Sequence, residues 1–389
     1  MSSSKYQHKA VKLIKLRAAP HRGTSANSST AADRAKKQPA MIQHRQPHRE
    51  ITRAEIATSS GVSAQQRRWQ DEMADLVTDP QELLDLLQLA PEQLPQLAAA
   101  ADLFQLRVPR PYLQRIRPGD PRDPLLLQVL PSAHELQPTP GFSDDPLQEA
   151  SANPVPGVVH KYRGRLLLIT AGQCAVNCRY CFRRAFPYSD NHLNRSQWQQ
   201  ALEYIRSQQD LREVILSGGD PLVMSDRQLG WLAGELAQIP QLDKLRIHTR
   251  LPIVAPSRVN SEFLDWFAGS HLKPVLVLHC NHAHEIDDEV AAALARLRAA
   301  GVTLLNQSVL LKGVNDDEET LAALSERLFD TGVLPYYLHQ LDRVQGAAHF
   351  EVSDARARDL VEQLRQRLPG YLVPRLVREI PAEKSKTPL

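Results

Sequence analysis

Cys174-Ala-Val-Asn-Cys178-Arg-Tyr-Cys181, followed by Phe182-Arg183-Arg184, decides how this chain is read. The chain has four cysteines, and three of them fall within this stretch. Thiolates are soft ligands that suit iron–sulfur clusters and zinc. A closed zinc site normally takes four protein ligands, usually from paired CxxC arms. Only three are present here, and Cys280 lies far off in a different predicted strand. Three thiolates on a cubane leave one iron open, which is a place for chemistry rather than a staple. The alternatives are a zinc site completed by His160, or three unrelated buried thiols.

Working outward, the 389 residues suffice for one barrel-sized domain with appendages. Apolar residues make up 42% and charged residues 23%, the balance of an ordinary globular protein. No apolar run reaches the length of a membrane span. Four cysteines without a secretory signal point to a reducing compartment, the cytoplasm, which also suits an oxygen-sensitive cluster. Residues 1–53 carry twelve Lys/Arg against Asp33 and Glu50, a local +10, so with the whole chain at +3 the remainder is left at −7. The basic character belongs to the leader and is no evidence for nucleic-acid binding by the body.

Residues 1–60 are rich in Ser, Ala, Lys and Arg and too poor in apolar groups to offset ordering entropy, which predicts a disordered basic tail. An RNA-touching arm, a targeting peptide and an early start site are all open readings of it. Residues 66–157 form a predicted helical N-terminal cap, with helices near 65–77, 80–87, 92–101 and 109–117, and Pro-rich connecting chain from Pro131 to Pro156. Then strands alternate with helices. The strands are Arg165–Thr170, Glu213–Ser217, Leu245–His248, Val275–His279, Val302–Leu310 and Leu334–His339. The helices lie near 196–208, 227–237, 257–268, 286–300, 317–330 and 353–368. Such repeated βα units predict an α/β fold, a partial (β/α)6 TIM-like barrel over residues 158–370. Residues 371–389 remain as a C-terminal segment. In such barrels the chemistry gathers at the C-terminal ends of the strands.

The polar motifs fall at those ends. The cysteine loop follows the first strand, and Tyr180 within it is placed to stack on a nucleobase or simply to pack the loop. The second strand ends Ser217-Gly218-Gly219-Asp220-Pro221, where glycines let the backbone approach a ligand closely. The third ends His248-Thr249-Arg250 and the fourth His279-Cys280-Asn281-His282. His279 and His282 have a spacing open to metal ligation but read as pocket polar groups, and Cys280 reads as a buried structural thiol. Asn306-Gln307-Ser308 and the acid Asp342 follow on the fifth and sixth. On composition alone Lys386 is a tail lysine.

The cysteine run resembles the radical S-adenosylmethionine (SAM) superfamily. The match narrows with His160-Lys161-Tyr162, Leu216–Pro221, Leu305–Leu311 and Pro335–Leu338, which are similar to lysine 2,3-aminomutases. Val344-Gln345-Gly346-Ala347-Ala348-His349-Phe350 resembles the short bacterial form that supplies β-lysine to modify elongation factor P. The resemblance runs from about residue 66 to the end. It implies a radical SAM barrel and an isomerase using a [4Fe–4S] cluster, SAM and pyridoxal 5′-phosphate (PLP). By position, Cys174, Cys178 and Cys181 hold the cluster, and Ser217, Gly218, Gly219 and Asp220 hold the SAM amino group. Lys386 becomes the catalytic lysine that carries PLP. Arg165, Lys161 and Tyr162 fall by its phosphate and Gln307 by its ring. Arg183 matches the grip on the substrate carboxylate, a task that suits a planar bidentate cation. Asp342 and Glu379 match the acids that pair with the substrate ε-ammonium.

Two departures stand out. Glu379 replaces an Asp, and Ala382-Glu383-Lys384-Ser385 replaces a glycine run, which makes Lys384 a rival to Lys386. The implied reaction is L-α-lysine to β-lysine, the R form, with an external one-electron reductant. The implied partners are an elongation factor P lysine ligase and elongation factor P itself, with no membrane; a homo-oligomer stays open. The rival readings are a PLP-independent radical SAM enzyme and a zinc-bound interaction module.

Overall fold

The computed structural model describes residues 64–90, 92, 94–186 and 194–389. The basic tail expected at residues 1–60 lies outside them. Residues 61–389 form one compact unit.

Its frame is a nine-stranded sheet with strands in chain order. They are β1 (Val158–Tyr162), β2 (Arg165–Ala171), β3 (Glu213–Gly218), β4 (Lys244–Thr249), β5 (Lys273–Leu278), β6 (Thr303–Val309), β7 (Leu334–His339), β8 (Arg375–Arg378) and β9 (Thr387–Pro388). β2 to β8 run parallel, while β1 and β9 are antiparallel edges on β2 and β8. The six expected parallel strands are β2–β7, each displaced by no more than two residues at an end. A seventh parallel strand, β8, was not expected. The C-terminal segment is therefore the rim of the partial barrel, and it brings Lys386 back beside β8.

Every second residue of a strand faces the same side. In β4, Leu245, Ile247 and Thr249 are buried, while Arg246 and His248 face the barrel interior. In β6, Leu304, Asn306 and Ser308 are buried, and Gln307 and Val309 line the interior. The outer face is covered by helices Arg195–Ser207, Asp226–Ala237, Ser261–Ala268, Asp288–Ala299, Glu318–Asp330 and Asp354–Arg367. Asn194, Ser225, Asn260, Asp287, Asp317 and Ser353 each cap the first turn of one of them through a side-chain oxygen.

The segment expected to form the helical cap carries short helices joined by irregular chain. Its helices are Ala64–Ala74, Pro80–Leu86, Leu94–Leu103, Arg110–Leu113 and Pro124–Leu127. The helix expected at 109–117 shrinks to one turn, Arg110–Leu113, with Pro109 at its N-cap and Pro111 in its first turn. Leu83, Leu106, Tyr112, Leu125 and Leu126 are fully buried and share one apolar cluster with Leu166, Leu216 and Leu245 of the barrel. Each such side chain contributes about 1.5–3 kcal/mol.

A charged clasp ties the cap to the cysteine loop. Arg179 is wholly buried and donates from Nε and Nη2 to Glu135. It also donates to the carbonyls of Phe104 and Ala100. Arg184 donates to the same Glu135 carboxylate. Breaking a buried pair by removing one partner costs roughly 3–5 kcal/mol.

Candidate active site

One cavity of about 370 Å³ runs through the barrel. All the residues assigned to a site from the sequence line it: Cys174, Cys178, Cys181, Tyr180, Arg183, Ser217, Gly218, Gly219, Asp220, Lys161, Tyr162, Arg165, Gln307, Asp342, Glu379 and Lys386. Arg165, Arg246 and Tyr336 are shared with a second opening of about 420 Å³ at the N-terminal ends of the strands. The chemistry-bearing groups converge on the first.

At the cysteine end the three thiols are free. Burial pushes Cys174 well above the ordinary thiol range and Cys181 up to about 11, so a bound metal centre must displace their protons. Among the described residues, no three His, Cys, Asp or Glu are placed to hold a single metal ion. His160, the fourth ligand of the zinc reading, instead hydrogen-bonds Tyr204 Oη through Nδ1 at 2.8 Å. Three thiols spread around one cavity wall suit a cluster with several irons.

Gly218 and Gly219, at the end of β3, line the cavity and also admit the chain that leads into the cysteine loop. Gly219 N–H donates to Ala171 O at 2.7 Å, and Asp220 N–H to Gln173 O at 2.9 Å. Gly218 has φ +123°, and a Cβ on Gly219 would lie 2.2 Å from Gln173 O. Gly219→Ala should therefore lower stability by roughly 3 kcal/mol and reduce iron bound per chain after reconstitution. A normal melting temperature with full iron content would refute that account.

Asp220 is also a brace. It accepts from Thr249 Oγ1 at 2.7 Å and from the backbone N–H groups of Leu222, Arg250 and Leu251 at 3.0, 2.7 and 3.1 Å. Its carboxylate locks the end of β3 to the end of β4. Tyr180 is 8% exposed. Its ring meets Phe350 edge-on, and its hydroxyl accepts from Arg250 and Asn281. Tyr180 thus packs the loop while also lining the cavity. Cys280 is buried in the core, as expected.

Arg183 is held in mid-cavity. Nε and Nη2 donate to the two oxygens of Glu149 at 2.7 and 2.9 Å, and Nη1 to Ser217 Oγ and Gly218 O at 3.0 and 3.1 Å. Glu149 was missed from the sequence because it sits in Pro-rich connecting chain without any motif. Arg183 holds Glu149 below the usual carboxylate range, despite a burial that pushes the other way.

At the far end, Lys386 Nζ donates to Glu379 Oε2 at 2.7 Å, and Lys161 Nζ to Glu379 Oε1 at 3.2 Å. The two ammonium groups hold Glu379 down at about 2 against desolvation. Lys386 Nζ also lies 5.9 Å over the Tyr337 ring. Lys384 is exposed and does not line the cavity, whereas Lys386 does. Asp342 is the opposite case: burial, with Glu379 nearby, pushes it up to about 7. Arg165 stacks 4.5 Å over Tyr162 near the start of β2.

Buried donors and acceptors without partners mark where bound groups would sit. Among the described residues these include His248 Nε2, His339 Nε2 and Arg250 Nε, all on residues lining the cavity. Burial holds both histidines well below their ordinary pKa, hence neutral. His279 Nε2 is satisfied by Gln307 Nε2 at 2.8 Å. A lysine, unpaired imidazoles, cationic Arg165 and three thiols in one enclosed space fit PLP, SAM and a cluster.

The profile of the Radical SAM superfamily matches residues 168–324. The chain is similar to the L-lysine 2,3-aminomutase of Escherichia coli (strain K12), 55% identical over 322 residues that cover 82% of this chain and 94% of that protein. It is also similar to the L-lysine 2,3-aminomutase of Haemophilus influenzae (strain ATCC 51907 / DSM 11121 / KW20 / Rd), 51% identical, covering 85% and 98%. A more distant relative is the glutamate 2,3-aminomutase of Clostridioides difficile (strain 630), 32% identical, covering 83% and 76%. Identity of this extent, over a chain whose cysteine loop, strand-end glycines and terminal lysine meet in one cavity, shows that the protein belongs to the lysine 2,3-aminomutase family of radical SAM isomerases.

Proposed function

We propose that this protein is a PLP-dependent 2,3-aminomutase that converts L-lysine to β-lysine in the cytoplasm. The observation that carries the reading is the acid pair Asp342 and Glu379 sharing one cavity with Lys386 and the three cysteines. Two half-buried carboxylates favour a substrate with a second positive charge; a glutamate side chain would add a third negative group beside them.

When bound, the cluster and SAM supply a carbon-centred radical, and PLP supplies the conjugated imine through which nitrogen moves. The protein holds and shields. Cys174, Cys178 and Cys181 bind the cluster. Lys386 anchors PLP, with Arg165, Lys161 and Tyr162 toward its phosphate and Gln307 near its ring. Arg183, fixed by Glu149, presents its guanidinium to the substrate carboxylate. Asp342 and Glu379 take the ε-ammonium. The enclosed walls keep water from a reactive radical. Residues 66–157 serve as the cap, 158–370 as the catalytic barrel, and 371–389 as the segment that delivers Lys386.

The test is anaerobic incubation of reconstituted protein with SAM, PLP, a one-electron reductant and L-lysine, with chiral chromatography of the product. (R)-β-lysine is expected. Deoxyadenosine without β-lysine would reject lysine as the substrate. A pH dependence follows from Asp342, which must be ionised to hold an ammonium. Below pH 7 kcat/KM should rise about tenfold per pH unit and then level off. A flat profile from pH 5.5 to 8.5 would remove Asp342 from the substrate site.

The product β-lysine is, in this reading, handed to a ligase that attaches it to elongation factor P. Support comes from the resemblance of Val344–Phe350 to the short bacterial form. In the structure this run packs inward: Gln345 Nε2 donates to Phe142 O at 2.8 Å, and Phe350 meets Tyr180. Deleting the gene and weighing intact elongation factor P is the check. An unchanged mass would dissociate the enzyme from that modification.

A further inference from the structure

Arg250, at the C-terminal end of β4, is the buried cation that the reading above leaves without a task. Its side chain is 5% exposed. Nη2 donates to Gln128 Oε1 at 2.7 Å, to Glu285 Oε2 at 2.8 Å and to Tyr112 Oη at 3.3 Å. Nη1 donates to Tyr180 Oη at 2.9 Å and to Cys178 Sγ at 2.8 Å. Gln128 and Tyr112 come from the cap, Tyr180 and Cys178 from the cysteine loop, and Glu285 from the turn after β5. Asp220 fixes the backbone of Arg250 from below by accepting its N–H at 2.7 Å. The guanidinium is thus held from three sides with one face on a cluster ligand.

A neutral thiol is a weak acceptor. A thiolate bound to iron carries far more charge and is a better one. The N–H of Arg250 is therefore spent on an atom that rewards it only when the cluster is present. Hydrogen bonds to cluster sulfurs and nearby charge are among the levers that set the potential of such centres. A reduced cluster carries one more negative charge than the oxidised one, so a donor at its sulfur favours reduction. Glu285, fully buried and 2.8 Å from Nη2, offsets the guanidinium's charge at longer range. What remains is the short-range N–H donor itself.

We propose that Arg250 is a positioning residue that raises the reduction potential of the cluster by donating a hydrogen bond to Cys178 Sγ, making the first electron easier to accept. The inference rests on the cluster being held by Cys174, Cys178 and Cys181. It goes beyond that reading by assigning a redox role to a side chain that touches neither substrate nor PLP.

The test is an EPR-monitored redox titration of the full-length, anaerobically reconstituted protein without SAM, comparing wild type, Arg250→Gln, Arg250→Lys and Tyr112→Phe. Arg250→Gln removes both charge and fork. Arg250→Lys keeps the charge but loses the planar fork, and it carries the test if the glutamine variant fails to fold. Both should keep wild-type iron and sulfide content. At the wild-type midpoint their ratio of reduced to oxidised cluster should fall about tenfold, equivalent to 59 mV for one electron. Tyr112→Phe removes another Arg250 contact in the same network and should leave the midpoint unchanged. A wild-type midpoint in an Arg250 variant with intact cluster overturns the inference. So does an equal shift in Tyr112→Phe, which would assign the effect to loosened packing. Wild-type protein that assembles no [4Fe–4S] cluster would instead sink the cluster reading beneath it.

Discussion

Replacing Lys386 by alanine should lower β-lysine formation by roughly a thousandfold or more, the scale seen when a residue central to the chemistry is removed. The absorbance of bound PLP should disappear with it. Iron content should persist, because the cysteines line the other end of the cavity. Lys384→Ala should stay within about twofold of wild type, since that side chain is exposed outside the cavity. A second effect follows from Glu379. In the wild type its carboxylate is held at about 2 by Lys386 and Lys161. A depressed carboxylate contributes stability above its unfolded pKa and loses it as pH falls through its folded value. Lys386→Ala takes away the nearer partner, so part of that contribution at neutral pH goes too. A variant that keeps PLP absorbance and turnover would return Lys386 to the status of a tail lysine.

Asp342→Asn should do two opposite things. Its carboxyl is pushed up to about 7 by burial and by Glu379, whereas it titrates near 3.8 when unfolded. A raised carboxylate costs stability above the folded pKa, and the cost fades as pH falls from about 7 to below 4. The asparagine variant escapes it, so at pH 8 it should be more stable by on the order of 4 kcal/mol. At pH 4 the gain should vanish. Turnover should move the other way. Losing one partner of a buried charge pair costs about 2–3 kcal/mol, or roughly a 30- to 150-fold rise in KM for lysine. Thermal melts at the two pH values and a KM–kcat comparison check both halves. A variant with unchanged KM and no pH-dependent stability gain would place Asp342 outside the substrate site.

The strand–helix rhythm could be read because each βα unit repeats the same physics: an apolar strand, a turn, a capped helix. That is why β2 to β7 and their helices were found to within a few residues. β1 (Val158–Tyr162), β8 (Arg375–Arg378) and β9 (Thr387–Pro388) were missed because none of them is followed by the helix of a βα unit. The lining residues could be listed because motifs sit at strand ends, but their tasks were harder to see. Asp220 satisfies backbone N–H groups and Gly219 admits Gln173 O. These tasks depend on the approach of chain segments far apart in sequence, 30 residues between Asp220 and Arg250. Glu149 and the contacts of Arg250 depend on how the cap folds over the barrel, which no local pattern encodes. One departure acquires a local cost: Ala382, in place of the family's glycine run, has φ +66°. Ala382→Gly should therefore add roughly 1 kcal/mol, read as a higher melting temperature.

The Arg179–Glu135–Arg184 clasp has a consequence for how the enzyme matures. The clasp uses none of the cysteines, yet it grips the chain on both sides of Cys181. Apolar packing and these charges shape the ligand loop through contacts separate from the thiols. Small metal-dependent domains, by contrast, fold only as the metal binds. Here the loop rests in part on contacts that need no metal, so removing iron should leave the circular dichroism of the protein close to that of the loaded form.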